Sequence, residues 1–455
     1  MNRHTQLMNW LHSWSGLLFG WLLFAIFLTG SLTVFDTEIT SWMQPELHEI
    51  TSNMGQISLQ VCEDLDVSVG SPFLHMIKFQ EKRTFSGQTV DPVTGRMVTF
   101  RDTQGGDFFY HFHSGLLLGL PGAWIVGIAG TTMFVALSTG LVIHRRIVKD
   151  VFRLQPQPVP QRAWVDVHNV TGLLVFPFSL VITLTGLTLF WSISMPVGFQ
   201  FLTGGDRTLS VLSDLHFAQF GSTLLRWLYF VMGLAASAMI ATGLVLWTNK
   251  RRKFLAEHSS ATRVRLAESF NVVIVAGLLV AIAAFFWANR LLPMALPARA
   301  LWEVRCLFIV WFLCLMHSLL RGRSSLAWKE QLYLAAFLLT SLPLLNGLTT
   351  QSHLLVTVPN GQWAVAGVDL TAEAVGILLG WMARRLCRAG LDSPNSQAAP
   401  MVRSDAESEQ ADQSSHSSTP LKMHGRPHVA AQETHCNNSN PSTGSEPRPF
   451  SKNPE

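Results

Sequence analysis

The chain has few charged residues. Asp, Glu, Lys and Arg make up 14% of its 455 residues, whereas 48% are hydrophobic. A soluble protein of this length rarely combines so little charge with so many apolar residues. The net charge of +4 is too small to indicate nucleic-acid binding. The composition therefore favours a protein that crosses a lipid bilayer several times.

Paired cysteines and nucleotide motifs are also missing. The five cysteines form no CxxC pair, and their odd, scattered number argues against a disulfide framework or an iron–sulfur site. The sequence has no GxGxxG after a strand, P-loop, HExxH or GxSxG motif. If the protein is a reductase, we therefore expect a separate electron donor, either a quinol or a cytosolic flavoprotein.

Long apolar runs dominate what is present. A span of hydrocarbon about 30 Å thick needs about 20 apolar residues. The first run is too long for a signal peptide and lacks a cleavage site, so we interpret it as a retained span. Eight spans are predicted near residues 14–35, 123–144, 169–192, 224–247, 269–288, 302–320, 331–348 and 364–386.

The Lys and Arg clusters predict the orientation. They follow the second, fourth, sixth and eighth runs, which places both termini in the cytoplasm. The loop 36–122 then lies outside, and its segment 88–100 has the alternation of a β-hairpin. The tail 391–455 is polar and has no apolar periodicity, so it is predicted to be disordered.

The first four spans contain a duplication. "LHSWSGLLFGWLLFAIFLTG" (11–30) aligns with "VHNVTGLLVFPFSLVITLTG" (167–186), so His12 matches His168. Each of these histidines precedes a Leu-Thr-Gly glycine, Gly30 or Gly186, by 18 residues, and so shares a helix face with it. Spans two and four repeat as well. His113 matches His216, and both lie 27 residues before the glycine of a "TGLV" sequence.

Two histidine pairs follow from this duplication. A pseudo-twofold four-helix bundle would bring His12 to His168 near the inner face and His113 to His216 near the outer face. Such pairs suit bis-histidine ligation of haem. Zinc ligation with help from Asp166 or Asp214, a proton relay, and a purely structural role are the alternatives.

Other histidines are weaker candidates. His111 aligns with Asp214 rather than with a histidine, and it could tune the haem or meet the acceptor. His144 ends span two beside Arg145 and Arg146, where it could replace His12 as a ligand or meet a haem propionate. We interpret His48 and His75 of the outer loop as surface residues. His317 and His353 lack duplicate partners and are interpreted as structural.

Several of these motifs resemble the PepSY-associated transmembrane helix family. They are "LHSWSGLLFGWLLFAIFLTGSL" with Trp42 and Pro45 beyond it, "VDPVTG", "HFHSGLLLGLPG", "TGLVIHRR", "DVHNVTGLL" and "LHFAQFG" with "ATGLVLW". Together they cover residues 1–250.

The resemblance implies an all-α polytopic protein of the bacterial inner membrane, associated with iron uptake. Some members are similar to ferrisiderophore reductases that bind two haems, expected to be b-type, between four helices. It implies His12, His113, His168 and His216 as candidate haem-iron ligands, with His111 and His144 less certain. It also implies a small periplasmic PepSY-like α+β insertion around 50–105.

The expected domains are the first span (1–35), the periplasmic PepSY-like loop (36–122), spans two to four (123–250), four additional spans of unknown role (251–390) and the cytoplasmic tail (391–455). The expected function is transmembrane electron transfer through haem, as a possible oxidoreductase that reduces a periplasmic ferric siderophore or related acceptor. The alternatives are a membrane-anchored PepSY-type binding or regulatory module, and a metal or siderophore permease. A permease is disfavoured because spans five to eight show neither buried charges nor paired broken helices.

Overall fold

Eight helices in the described part of the chain are long and apolar enough to cross a membrane, which confirms the predicted number. The structure is a computed structural model that describes residues 3–46, 88–90, 97–143, 160–194, 206–218, 220–257 and 261–391. Each span contains the core of its predicted run and extends beyond it at one or both ends. The spans are Arg3–Thr33, Leu120–Ile143, Trp164–Ser194, Thr223–Lys250, Thr262–Leu291, Arg299–Arg321, Ser324–Thr349 and Trp363–Arg385.

Short helices stand between the long ones. In chain order the helices are α1 (Arg3–Thr33), α2 (Asp36–Met43), α3 (Asp107–Gly115), α4 (Leu120–Ile143), α5 (Pro160–Ser194), α6 (Asp206–Phe217), α7 (Thr223–Glu257), α8 (Ala261–Val272), α9 (Leu278–Leu291), α10 (Arg299–Arg321), α11 (Ser324–Thr340), α12 (Leu342–Thr349), α13 (Leu354–Thr357) and α14 (Trp363–Leu391). A π-helical segment, Val273–Gly277, joins α8 to α9.

Helices α1, α4, α5 and α7 form a four-helix bundle. Each of them packs against two of the others, in the order α1, α4, α5, α7 and back to α1. Their threonine hydroxyls donate to carbonyls one turn earlier in the same helix, as Thr29 does to Ala25 at 2.7 Å and Thr185 to Val181 at 2.8 Å. These bonds satisfy polar groups where no water is present.

Helices α8 to α14 form the second half, and the span of α8 and α9 is its central member. In the most apolar window of that span 72% of the residues are buried, against 22–50% in the other seven spans. It packs against α10 and α11, and its π-helical segment contacts α1. This span therefore links the second half to the bundle.

The predicted outer loop is partly helical at both ends. Helix α2 follows α1 directly, and α3 packs against α1 and α4. The predicted hairpin is confirmed by two antiparallel strands, β1 (Gln88–Val90) and β2 (Met97–Thr99). The other residues of the expected PepSY-like segment, at 50–87 and 91–96, lie outside the described residues, as do His144 and the tail from residue 392.

Candidate functional site

The two histidines predicted to pair at one end of the bundle lie close together. His113 is carried by α3 and His216 by α6, and the centroids of their rings are 6.2 Å apart with 32° between the ring planes. We call this end of the bundle, with α2, α3 and α6, the His113 end. His12 and His168 lie near the starts of α1 and α5, at the opposite end, which we call the His12 end.

Each of the four histidines packs against the glycine of a Thr-Gly pair on a different helix. A Cβ atom on any of these glycines would come within 3.2 Å of Cε1 of the ring, so the absence of a side chain lets the imidazole lie on the helix backbone. The pairs and distances are His113 on Gly30 at 2.6 Å, His216 on Gly186 at 2.9 Å, His12 on Gly140 at 3.2 Å and His168 on Gly243 at 3.1 Å.

The helix turn that contains each Thr-Gly pair also binds the Nδ1 atom of the histidine ring that lies on it. In three cases Nδ1 bonds the carbonyl three residues before the threonine: His113 to Ile26 at 2.8 Å, His12 to Ala136 at 3.0 Å and His168 to Met239 at 3.0 Å. A carbonyl can only accept, so in each of these rings the proton is on Nδ1 and Nε2 is the nitrogen that carries the lone pair.

His216 reaches the same state through a hydroxyl. Its Nδ1 lies 3.0 Å from Oγ1 of Thr185, whose single proton is donated to the carbonyl of Val181. The threonine oxygen therefore accepts from Nδ1. Among the described residues, Nε2 of His113 and Nε2 of His216 have no hydrogen-bond partner. Burial lowers the pKa of both imidazoles, so both are neutral at pH 7.

The distance between the two rings fits one shared metal ion. Imidazoles that bind a metal at about 2.0 Å from Nε2, with that nitrogen about 1.2 Å from its ring centre, have centroids about 6.4 Å apart. Zinc would need three or four protein ligands, and the described residues contain no group of three or more His, Cys, Asp or Glu side chains placed to hold a metal ion. Two axial nitrogens alone suit an iron whose other ligands come from a macrocycle.

Cavities lie on both sides of the histidine pair. One has a volume of about 230 Å³ and reaches along α4 past Gly127 and Gly130. The other, of about 80 Å³, extends past Gly30 and Gly233. His113 and His216 line both, and most of the remaining wall is apolar. A flat macrocycle centred between the two imidazoles could extend into both cavities. A single metal ion would leave both cavities unused.

The minor candidates are placed differently. His111 lies on the exposed side of α3 with its ring against Tyr110, at 5.4 Å between centroids. It does not line the two cavities beside His113. Tyr110 does line both, and burial raises the pKa of its hydroxyl to about 12, so that hydroxyl stays protonated.

The second half holds the segment that leads into α3. Thr103 donates to Oε2 of Glu303 at 2.6 Å, Arg299 donates to the carbonyl of Asp102 at 3.0 Å, and Arg101 to that of Asn289 at 2.9 Å. Just beyond, Phe108 of α3 stacks on Phe285 of α9 at 4.9 Å. Helices α9 and α10 thus position the helix that carries His113.

Trp42 extends this contact to α14. Its indole donates to Oδ1 of Asp369 at 2.9 Å, and the guanidinium of Arg290 lies 3.6 Å from its ring centre. Arg299 and Glu303 form an ion pair at 2.5 Å and are almost fully buried, as is Asp369. The expectation that spans five to eight have no buried charges is therefore wrong. These charges lie in the end turns of the spans, where sequence alone does not separate buried from interfacial positions.

Replacing Glu303 with alanine is expected to destabilise the protein by about 3–5 kcal/mol, because the Arg299 guanidinium would stay buried without its partner. The matched control is Glu330→Ala, which removes a half-exposed partner of Arg321 and is expected to cost at most about 1 kcal/mol. Denaturant unfolding of the detergent-solubilised protein measures both free energies. Equal losses would contradict the role given to the buried pair.

Comparison with known proteins identifies a family that matches the first four spans. The model of the PepSY-associated TM region family matches residues 9–203 and 199–250, which is more than half of the chain. The chain belongs to the PepSY-associated TM region family. The match begins within α1 and ends within α7, so it covers nearly all of the four-helix bundle and includes His12, His113, His168 and His216. The second half is thus an addition to the part that defines the family.

One curated relative has no assigned activity. An uncharacterized protein of Pseudomonas aeruginosa is 30% identical over 188 residues, which is 39% of this chain and 44% of the relative. The chain therefore matches less than half of that relative's length. No solved structure matches the chain.

Proposed function

We propose that the protein carries electrons across the membrane through haem and delivers them to a periplasmic ferric siderophore or a related acceptor. The observation that carries the proposal is the facing pair of His113 and His216, 6.2 Å apart, with Nδ1 fixed and a cavity on each side. A haem with two axial imidazoles supplies one-electron transfer.

The residues of the chain have distinct tasks in this proposal. His113 and His216 hold one haem at the His113 end, taken as the periplasmic end. His12 and His168 hold a second at the His12 end, because their rings have the same glycine contact and the same Nδ1 bond to a carbonyl. The Thr-Gly pairs orient the rings. The apolar walls keep water from the histidine pair, which preserves the neutral imidazoles that ligation needs.

Reconstituted vesicles test the proposal. Dithionite is sealed inside liposomes that contain the purified protein with its haem, and a ferric siderophore is added outside with a ferrous-iron chelator. We expect ferrous iron to form outside with the wild-type protein and to fall to the level of protein-free vesicles with His113→Ala. The matched control His317→Ala, in the second half, is expected to behave as wild type. Equal rates for all three proteins would contradict the proposal.

A further inference from the structure

A third cavity lies between the bundle and the second half. It is partly open, has a volume of about 370 Å³ and is separate from the two cavities at the histidine pair. Helices α1, α2 and α7 form one side, and α9, α11, α12 and α14 form the other. Its wall is almost entirely hydrocarbon and includes Leu32, Trp227, Phe230, Phe286 and Val368.

The wall determines what can fill this space. Water has few hydrogen-bond partners in such a cavity, so a hydrocarbon chain from the surrounding bilayer is the favoured occupant. A glycine leaves part of the space open. A Cβ atom at Gly367 of α14 would have no heavy atom within 4 Å.

The polar residues that line the cavity determine which head group can accompany a bound hydrocarbon chain. Glu38 and Thr223 line the cavity, whereas Arg226 does not. Arg226 is bound by both carboxylate oxygens of Glu38, at 2.6 and 2.8 Å, and by the carbonyl of Val34. A phosphate head group would meet the Glu38 carboxylate with no unpaired cation beside it. A neutral head with hydroxyl groups can donate to the remaining lone pairs of that carboxylate.

Only the thickness of α1 separates the cavity from the histidine pair. Leu28 and Leu32 face the cavity, while Ile26 and Gly30 of the same helix contact His113 on the other face. An occupant that can be oxidised is therefore one helix away from the proposed haem.

We propose that this cavity binds an isoprenoid quinol, with its chain between α7 and α14 and a hydroxyl at Glu38, as a donor to the haem at the His113 end, in addition to the electrons that cross the membrane from the His12 end; its role as donor rests on the proposed function. Oxidation of one quinol to its quinone would release two electrons, which a haem held by His113 and His216 would accept one at a time. The two hydroxyl protons would leave to water at the cavity mouth.

Quinone content tests the proposal without any measurement of electron transfer. The full chain is purified in mild detergent, and extracted quinone and phospholipid are measured by mass spectrometry. We expect about one quinone per chain in the wild type and at least a roughly fivefold loss in Gly367→Phe, whose ring fills the space of the chain. Ile377→Phe adds the same ring to the lipid-exposed side of α14 and is expected to retain the quinone.

A second variant, Ala364→Leu, narrows the same cavity with a smaller change and gives the test if Gly367→Phe does not fold. The proposal would be overturned if the wild type contained no quinone or contained phospholipid alone. It would also be overturned if both cavity variants retained the quinone. The double variant His113→Ala with His216→Ala is expected to keep its quinone. A wild-type protein with quinone but without haem would refute the proposed function and leave this site supported.

Discussion

Replacing His113 or His216 with alanine is expected to remove the haem at the His113 end while the bundle stays folded. In the proposed site each histidine would supply one Nε2 to the iron, and the Nδ1 atom of each ring is held by a different helix, α1 for His113 and α5 for His216. The remaining imidazole cannot restore two axial bonds. Because His12 and His168 belong to the opposite end, the haem content per chain should fall by about half. The pyridine haemochrome assay on purified protein measures it.

Two further variants make this result specific. His317→Ala removes an imidazole that bonds Glu330 at 2.9 Å in the second half and is expected to leave the haem content unchanged. His12→Ala is expected to remove the other half. If His113→Ala and His216→Ala both retained the full haem content, the pairing described for the His113 end would be wrong.

Adding one methyl group at Gly30 is expected to weaken haem binding at the His113 end. The Cβ atom of Gly30→Ala would lie 2.6 Å from both Cε1 and Nδ1 of His113, so the ring must leave its place and lose the bond to Ile26. Overpacking of this kind costs about 1–3 kcal/mol, which corresponds to a loss of roughly tenfold to a hundredfold in haem affinity at that end. Haem titration of protein purified without haem measures the affinity.

The control for this substitution is Gly380→Ala. A Cβ atom there would lie 3.6 Å from the Cβ of Ala336, an ordinary van der Waals contact in the second half. We expect unchanged haem affinity in this variant and a loss in Gly186→Ala, whose Cβ would lie 2.9 Å from His216. Normal affinity in both Gly30→Ala and Gly186→Ala would show that the Thr-Gly pairs do not orient the rings.

The spans could be predicted from the sequence because length and hydropathy alone determine them. Their boundaries differ from the prediction in a regular way. Helix α1 begins at Arg3 rather than near residue 14, and α5 begins at Pro160, because helices continue beyond the apolar core. The helices within the outer loop were not predicted, since α2 and α3 are short and are stabilised by tertiary packing rather than by periodicity.

The histidine pair at the His113 end could be predicted because the duplication repeats both residue type and spacing. The contact of each histidine with a Thr-Gly pair on another helix could not be predicted. The helical spacing predicts that Gly30 shares a face with the histidine of its own helix, His12, whereas in the structure Gly30 lies against His113 of α3. A repeat shows which positions are equivalent, but it does not show which helices are neighbours. The four Thr-Gly pairs were the available signal.

The contact between the two halves was also missed. Arg299, Glu303 and Asp369 lie within two turns of span ends, where charged residues normally face the lipid head groups. Only the structure shows that Arg299 and Glu303 are buried against the segment that enters α3, and that Asp369 is buried against Trp42 of α2. The second half thus positions α3, the helix that carries His113, although its sequence has no recognised motif.

The reduced-minus-oxidised absorption spectrum of the purified protein, expressed with ample haem, tests the central claim most directly. We predict a Soret band and visible bands of low-spin haem with two imidazole ligands, and about half of that signal in the double variant His113→Ala with His216→Ala. A wild-type protein without a Soret band, or a double variant with the full wild-type spectrum, would contradict the account.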